Sequence, residues 1–208
     1  MLSEPTLRTL LEPFGLALSA EQSAQLLIYL DLLLRWNRKI NLTAIRSAEE
    51  CVTRHFAESL VLARWLRLEG SMLDVGSGAG FPGLALRILF PDLSTTLLEP
   101  IAKKRAFLKE VARACDMTSV EVRGDRLEQF VTAQSAASFD TVTARAVGKL
   151  DQLVPAAARC LKPGGNLCLW LGREQVASVA SLPATINWSE PIPLPLARQK
   201  VILVGTRL

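Results

Sequence analysis

From Ser71 onward, short apolar runs alternate with longer amphipathic ones, and no other feature restricts the fold of this chain as much. Apolar runs at 72–76, 94–99, 119–123, 139–144, 166–171 and 200–205 predict strands. The segments 82–90, 102–115, 125–131, 149–161 and 173–181 predict helices between them. Such alternation requires right-handed crossovers, which set the strands parallel and cover both faces of the sheet with helices. The expected fold class is therefore α/β, a mainly parallel, doubly wound, Rossmann-like sheet. Lys162-Pro163-Gly164-Gly165 is expected to stop a helix and turn the chain into the strand from Asn166 to Leu171. Pro183, Pro191, Pro193 and Pro195 precede a final strand from Val201 to Val204, which suggests a late antiparallel insertion.

The residues before Ser71 follow a different pattern. Leu26, Leu27, Leu30, Leu33 and Leu34 fall on one stripe of a helix over 21–38, with Ser19 and Gln22 as its capping pair. A second helix is expected over 48–67, carrying Val52, Phe56, Leu60, Ala63 and Trp65. Residues 1–67 thus read as a helical N-terminal extension, and 68–208 as the main domain. A chain of 208 residues has room for both.

The four cysteines (Cys51, Cys115, Cys160, Cys168) form no CxxC pair and have no histidine partner at metal spacing. They read as reduced thiols of a cytoplasmic protein, with no metal site expected. No apolar run approaches the ~18 residues of a membrane span, and the first residues carry no export pattern. Net charge is only +4, but it is unevenly spread. Arg35, Arg38, Lys39, Arg46, Arg54, Arg64 and Arg67 crowd one segment, and Lys103, Lys104, Arg105, Lys109 and Arg113 another. Clustered cations beside a pocket suit a polyanion.

That pocket is expected at Met72-Leu73-Asp74-Val75-Gly76-Ser77-Gly78-Ala79-Gly80-Phe81-Pro82-Gly83. A strand ends in an acid, breaks into glycines and restarts as a helix, so a ligand can lie on backbone N–H groups. Asp74 is expected to meet a cationic or hydroxyl-bearing part of it. Gly78-x-Gly80-x-x-Gly83 fits the dinucleotide fingerprint. Asp74-x-Gly76-x-Gly78-x-Gly80 equally fits the first-strand pattern of S-adenosylmethionine (AdoMet) methyltransferases. Three features favour AdoMet: Glu99 closing a second strand, where a carboxylate can accept ribose hydroxyls; Arg123-Gly124-Asp125-Arg126-Leu127-Glu128 after the third; and Leu161-Lys162-Pro163-Gly164-Gly165 before the fifth.

Trp36-Asn37…Asn41-Leu42-Thr43…Arg46, Arg54-His55…Ser59, the glycine segment and Thr143-Ala144-Arg145-Ala146-Val147 together resemble the RsmG/GidB methyltransferases. The resemblance runs from about Leu26 to Val204. It implies a class I AdoMet-dependent fold and transfer of a methyl group to N7 of a guanine, position 527 in the 530 loop of 16S ribosomal RNA. It implies cofactor contacts at Gly76, Phe81, Glu99, Leu127, Glu128 and Arg145, to which the glycine reading adds Asp74 and Gly78. Arg145 ends the fourth strand, where cofactor and substrate would meet, and is the catalytic candidate. Asn41, Thr43, Arg46, Arg54 and His55 are the candidate RNA contacts, and Trp36 and Phe81 are candidates to stack on a base. Some positions depart from the family pattern: Glu99 and Glu58 stand where aspartate is common, Leu171 replaces a lysine, and Ala144 a serine.

The partner is expected to be 16S RNA or the small ribosomal subunit, met by a monomer. A metabolite methyltransferase, an RNA-binding assembly factor with a vestigial pocket, and a dinucleotide oxidoreductase are the competing readings. The basic segment opposes the first and the intact glycine turn the second. Failure to bind NAD would dispose of the third.

Overall fold

Strands β1 (Ser71–Val75), β2 (Ser94–Leu98), β3 (Val120–Arg123), β4 (Phe139–Arg145) and β5 (Leu161–Gly172) run parallel in a computed structural model. It describes residues 2–133, 138–182 and 185–208, so Pro183 lies outside the described residues. Two short strands, β6 (Ile186–Trp188) and β7 (Ile192–Pro193), precede β8 (Lys200–Arg207). The sheet order is β3-β2-β1-β4-β5-β8-β6, with β7 also paired to β8. From β1 the chain winds outward through β2 and β3, then returns to place β4 on the other side of β1. Ligands of open α/β sheets bind in the crevice at such a reversal, beyond the carboxyl ends of the strands. The last strand, β8, is antiparallel to β5, from Asn166↔Thr206 to Gly172↔Lys200. The pairs made by β6 and β7 were not expected; both segments are too short for a periodic signal.

Lys162–Gly165 does not turn the chain. The helix before it ends at Cys160, and Leu161 already pairs with Phe139 of β4. The four residues bulge before pairing resumes at Thr141↔Asn166, with Gly164 at φ 77°. Glycine absorbs the irregularity inside a strand, as bulges commonly require.

Helices α1 (Glu4–Leu11) and α2 (Ala20–Ile40) open the chain. In α2 the Ser19 hydroxyl accepts from Gln22 N–H, and Gln22 Oε1 accepts from Ser19 N–H. The first helix was not expected, although Ser3 caps it and Pro5 sits in its first turn. The single helix expected over 48–67 is instead four pieces: α3 (Ala48–Cys51), a π-helical stretch Val52–Ala57, α4 (Glu58–Leu60) and a 3-10 turn Val61–Arg64. Carbonyls of the π-helical stretch also accept from an arginine across the molecule.

Helices α5 (Gly83–Leu89), α6 (Ala102–Ala114), α7 (Leu127–Ala133), α8 (Leu150–Cys160) and α9 (Val176–Ala180) complete the crossovers. One apolar cluster joins Tyr29 and Leu33 of α2 and Phe56 of the π-helical stretch to Leu84 of α5 and Phe107 of α6. The extension therefore shares a core with the sheet's helices. A second cluster, with Phe130, Val142, Leu153 and Leu167, fills the opposite face. All four cysteines are buried and unpaired. Among the described residues no helix is long and apolar enough to cross a membrane.

Candidate functional site

A cavity of about 270 Å³ opens at the strand-order reversal. Its wall takes Val75 and Gly76 from the end of β1, Leu98 and Pro100 from β2, and Asp125–Glu128 from the segment after β3. Val147, Gly148 and Lys149 after β4, with Gln152 and Leu153 of α8, close it. Gly76 holds φ at 69°, a conformation that L side chains rarely adopt, and a Cβ there would lie 3.2 Å from Val147 Cγ2. Only glycine keeps the wall open at this point. Gly83 answers a different demand: a Cβ would come within 2.8 Å of Asp74 and Leu97, because α5 begins directly on the strands.

Gly76, Leu127 and Glu128 thus stand on the cavity, and Glu128 is exposed. Glu99 lies behind the glycine turn, nearly buried, with Oε2 accepting from Gly78 N–H (2.9 Å) and Oε1 from Ile101 N–H (2.8 Å). It binds the turn to the end of β2. Each oxygen retains a further lone pair.

Asp74 does not open into the cavity. It is fully buried under the turn, with Oδ1 accepting from the Thr143 hydroxyl at 2.7 Å. Its Oδ2 faces the backbone of Gly83 without a well-formed hydrogen bond. Burial pushes its carboxyl up to about 6, against the opposing pull of the Thr143 and Ser77 hydroxyls. A group so enclosed shapes the turn; the expected contact with an incoming ligand has no path to it.

Phe81 is likewise turned away. Its ring stacks with Tyr29 (5.3 Å, 9° between planes) and with His55 (4.9 Å, 21°), while Phe56 meets it edge-on. It is 8% exposed, so no face is free for a base. Trp36 packs on Phe107 and donates its indole N–H to Glu110 at 3.0 Å.

Arg145 ends β4 and spends its guanidinium on the extension. Nη2 donates to Arg54 O (2.6 Å) and Glu58 Oε2 (2.7 Å), and Nη1 to Ser59 Oγ (3.2 Å) and His55 O (3.4 Å). Ser59 Oγ also donates to His55 O at 2.6 Å. These contacts fall where the helix widens into a π-stretch, a place where side chains commonly reach backbone carbonyls. Glu58 is buried and holds Lys200 Nζ at 3.2 Å as well. Trp170 of β5 donates its indole N–H to Glu58 O. Residues distant in sequence thus form one clamp at the carboxyl edge of the sheet.

His55 sits between this clamp and the loop after α2. Its Nε2 shares a 2.7 Å hydrogen bond with Thr43 Oγ1. Burial, then the charges of Arg145, Lys200 and Arg54, push its pKa down to about 4, so the ring is neutral near pH 7. Asn37, buried at the end of α2, fixes the loop by accepting from Thr43 N–H and donating to Ile45 O. Asn41, Arg46 and Arg54 are exposed, and Arg54 pairs with Glu50 at 3.4 Å. Of the five candidate RNA contacts, Asn41, Arg46 and Arg54 are thus exposed, whereas Thr43 and His55 hold the loop together more than they face outward.

Sequence reasoning missed Val147, Lys149 and Gln152 as cavity residues, and Glu58 and Lys200 as clamp residues. The first three follow β4, where strand-order reversal marks a site; the last two carry no local signal.

Comparison with known proteins adds a family. A family model described as "GidB: rRNA small subunit methyltransferase G" matches residues 22–198. A protein named Ribosomal RNA small subunit methyltransferase G from Chloroflexus aggregans is 36% identical, over 94% of this chain and 86% of its own. One of the same name from Halorhodospira halophila is 41% identical, over 86% and 84%. Among solved structures, a SAM-dependent methyltransferase from Aquifex aeolicus superposes with a TM-score of 0.63 at 13% identity, covering 76% of this chain and 93% of that one. At that identity the likeness concerns the fold.

Proposed function

The chain belongs to the GidB family, rRNA small subunit methyltransferase G, and from that membership we propose that it methylates N7 of a guanine in 16S ribosomal RNA, using AdoMet. The observation that carries this reading is the cavity at the strand-order reversal, kept open by Gly76 at φ 69°. It fits an adenosine-bearing donor: a glycine wall that a Cβ would close, an apolar flank of Leu98, Leu127 and Leu153, and carboxylates at strand ends. Gly76, Leu127 and Glu128 would hold AdoMet directly, with Gly78 and Glu99 fixing the turn beneath it and Asp74 supporting the turn from below. When bound, AdoMet supplies an electrophilic methyl group on a sulfonium.

Guanine N7 carries an in-plane lone pair on its major-groove edge. It can attack a methyl group without losing a proton, so no strong general base is required. His55, neutral and hydrogen-bonded to Thr43, is suited to holding the loop and not to moving protons. The chain's contribution is alignment and exclusion of water, worth up to roughly 7–11 kcal/mol in favourable cases. Arg145 belongs to this alignment by clamping the extension against β4. Residues 1–67 serve as the RNA-facing part, with Asn41, Arg46 and Arg54 turned outward. We place the substrate in the small ribosomal subunit or its RNA, met in the cytoplasm by a single copy of the chain.

The test is transfer of a tritiated methyl group to small subunits and naked 16S RNA from cells lacking this enzyme. Label in 7-methylguanosine is expected. Label only in small metabolites, or none, would overturn the proposal.

A further inference from the structure

A second groove, of about 500 Å³, runs beside the clamp on the same edge of the sheet. One wall is Thr53, Arg54 and Glu58; the other is the loop from Pro195 to Lys200. The register fixes its place. Arg145, the end of β4, pairs with Trp170, and Lys200, the start of β8, pairs with Gly172 at the end of β5. Both therefore stand at the carboxyl ends of the strands, where the cofactor cavity opens. Glu58 lines the groove and bonds Arg145, so the groove abuts the clamp.

We propose that this groove is the docking track for the RNA backbone flanking the target nucleotide. The inference rests on the RNA-methyltransferase reading and extends it to residues 195–200, outside the basic segment recognised from sequence.

The electrostatics favour a phosphate chain. Arg54, Arg145, Arg198 and Lys200 gather here against two carboxylates, Glu50 and Glu58. Glu58 is already shared by Arg145 and Lys200. Arg198 is exposed and, among the described residues, pairs with no carboxylate. An unpaired arginine above a half-neutralised groove leaves positive potential facing outward. Leu196 adds an apolar element: it is 78% exposed and held at φ 61°. A leucine in the left-handed region, presented to solvent, is an uncommon conformation maintained at a cost. Beside cations, such a side chain can lie against a base whose neighbour has left the stack.

The experiment measures binding of unmethylated small subunits and of a hairpin RNA copied from the target loop, over a salt series. It uses the wild type, Arg198→Glu, Leu196→Ala and a control, Arg159→Glu, at the exposed end of α8. Calorimetry with AdoMet and thermal melting run alongside. Arg198→Glu is expected to weaken RNA binding about tenfold and to reduce the salt slope by roughly one contact. Leu196→Ala is expected to raise KM with AdoMet affinity and melting unchanged. Arg159→Glu should match the wild type. If the wild type binds and methylates RNA but Arg198→Glu and Leu196→Ala match it, the groove is not the track, while the RNA reading stands. Equal loss in Arg159→Glu would reduce the effect to net charge and overturn the inference. A wild type that binds no RNA would instead overturn the underlying reading.

Discussion

The glycine turn and the Arg145 clamp lie on the same edge of one sheet, yet they are built in opposite ways. The turn is local: Asp74, Gly76, Gly78 and Gly83 lie within ten residues, held by Glu99 just past the next strand and by Thr143 of β4. The clamp joins Arg54, His55, Glu58 and Ser59 to Arg145 and Lys200, with Glu58 and Lys200 142 positions apart. A local site is set by backbone conformation, so its glycines cannot be replaced. A distant site is set by charge pairing across the core, so it fails through its partners. The first should lose ligand without losing fold; the second should lose both in part.

Gly76→Val should break the turn most completely. A β-branched side chain at φ 69°, aimed at Val147, should weaken AdoMet binding by roughly a hundredfold or more. Circular dichroism should remain that of the wild type, and calorimetry with wild-type affinity would show that the turn does not form the cavity wall. Arg145→Ala should cost about 3 kcal/mol of stability, because Glu58 remains buried with only Lys200 beside it. Transfer should fall sharply as well. Arg145→Lys should restore little, since an ammonium cannot serve four spread acceptors as a planar fork does. Full rescue by lysine would mean that charge alone matters at this position.

The pH dependence separates the two regions by sign. His55 has a folded pKa of about 4, below its ordinary 6.5, so its contribution is complete above pH 6.5. It is lost as pH falls from 6.5 towards 4, because the unfolded chain takes the proton first. Asp74 has a folded pKa of about 6, above its ordinary 3.8, so its ionisation opposes folding as pH rises through that interval. The two trends offset each other in the wild type. In His55→Gln, stability should rise as pH falls from 6 to 4; in Asp74→Asn it should fall more steeply than in the wild type over the same range. Denaturant titrations at several pH values with identical slopes in all three proteins would contradict both assignments. The smallest effect is expected from Arg46→Ala on the exposed loop: RNA affinity lowered about threefold, with the salt slope reduced by about one. An unchanged slope would remove Arg46 from the proposed RNA contacts.

Much of the fold was legible because its signals are periodic or local. Strand runs such as Leu167–Leu171 are buried apolar segments that read as strands from composition alone. The capping pair Ser19 and Gln22 announced the start of α2. The site was legible only in part. Gly76, Leu127 and Glu128 fell on the cavity, whereas Phe81 was expected to be available to a ligand and proved to be covered by Tyr29 and His55. Nothing near Phe81 in the sequence reveals that α2 lies over it. The π-stretch was invisible for the same reason, since the carbonyl of Arg54 within it meets Arg145, 91 residues further along the chain.

The order of residues by itself determined the alternating architecture and the glycine turn, because hydrophobic period and φ preference act within a few neighbours along the chain. Only the tertiary structure decided where Asp74 would be enclosed, which carbonyls Arg145 would reach, and that Lys200 would stand beside Glu58. Those outcomes depend on burial and on charges brought together through space. Such pairings are settled when the sheet closes against its helices, and no short stretch of sequence carries them.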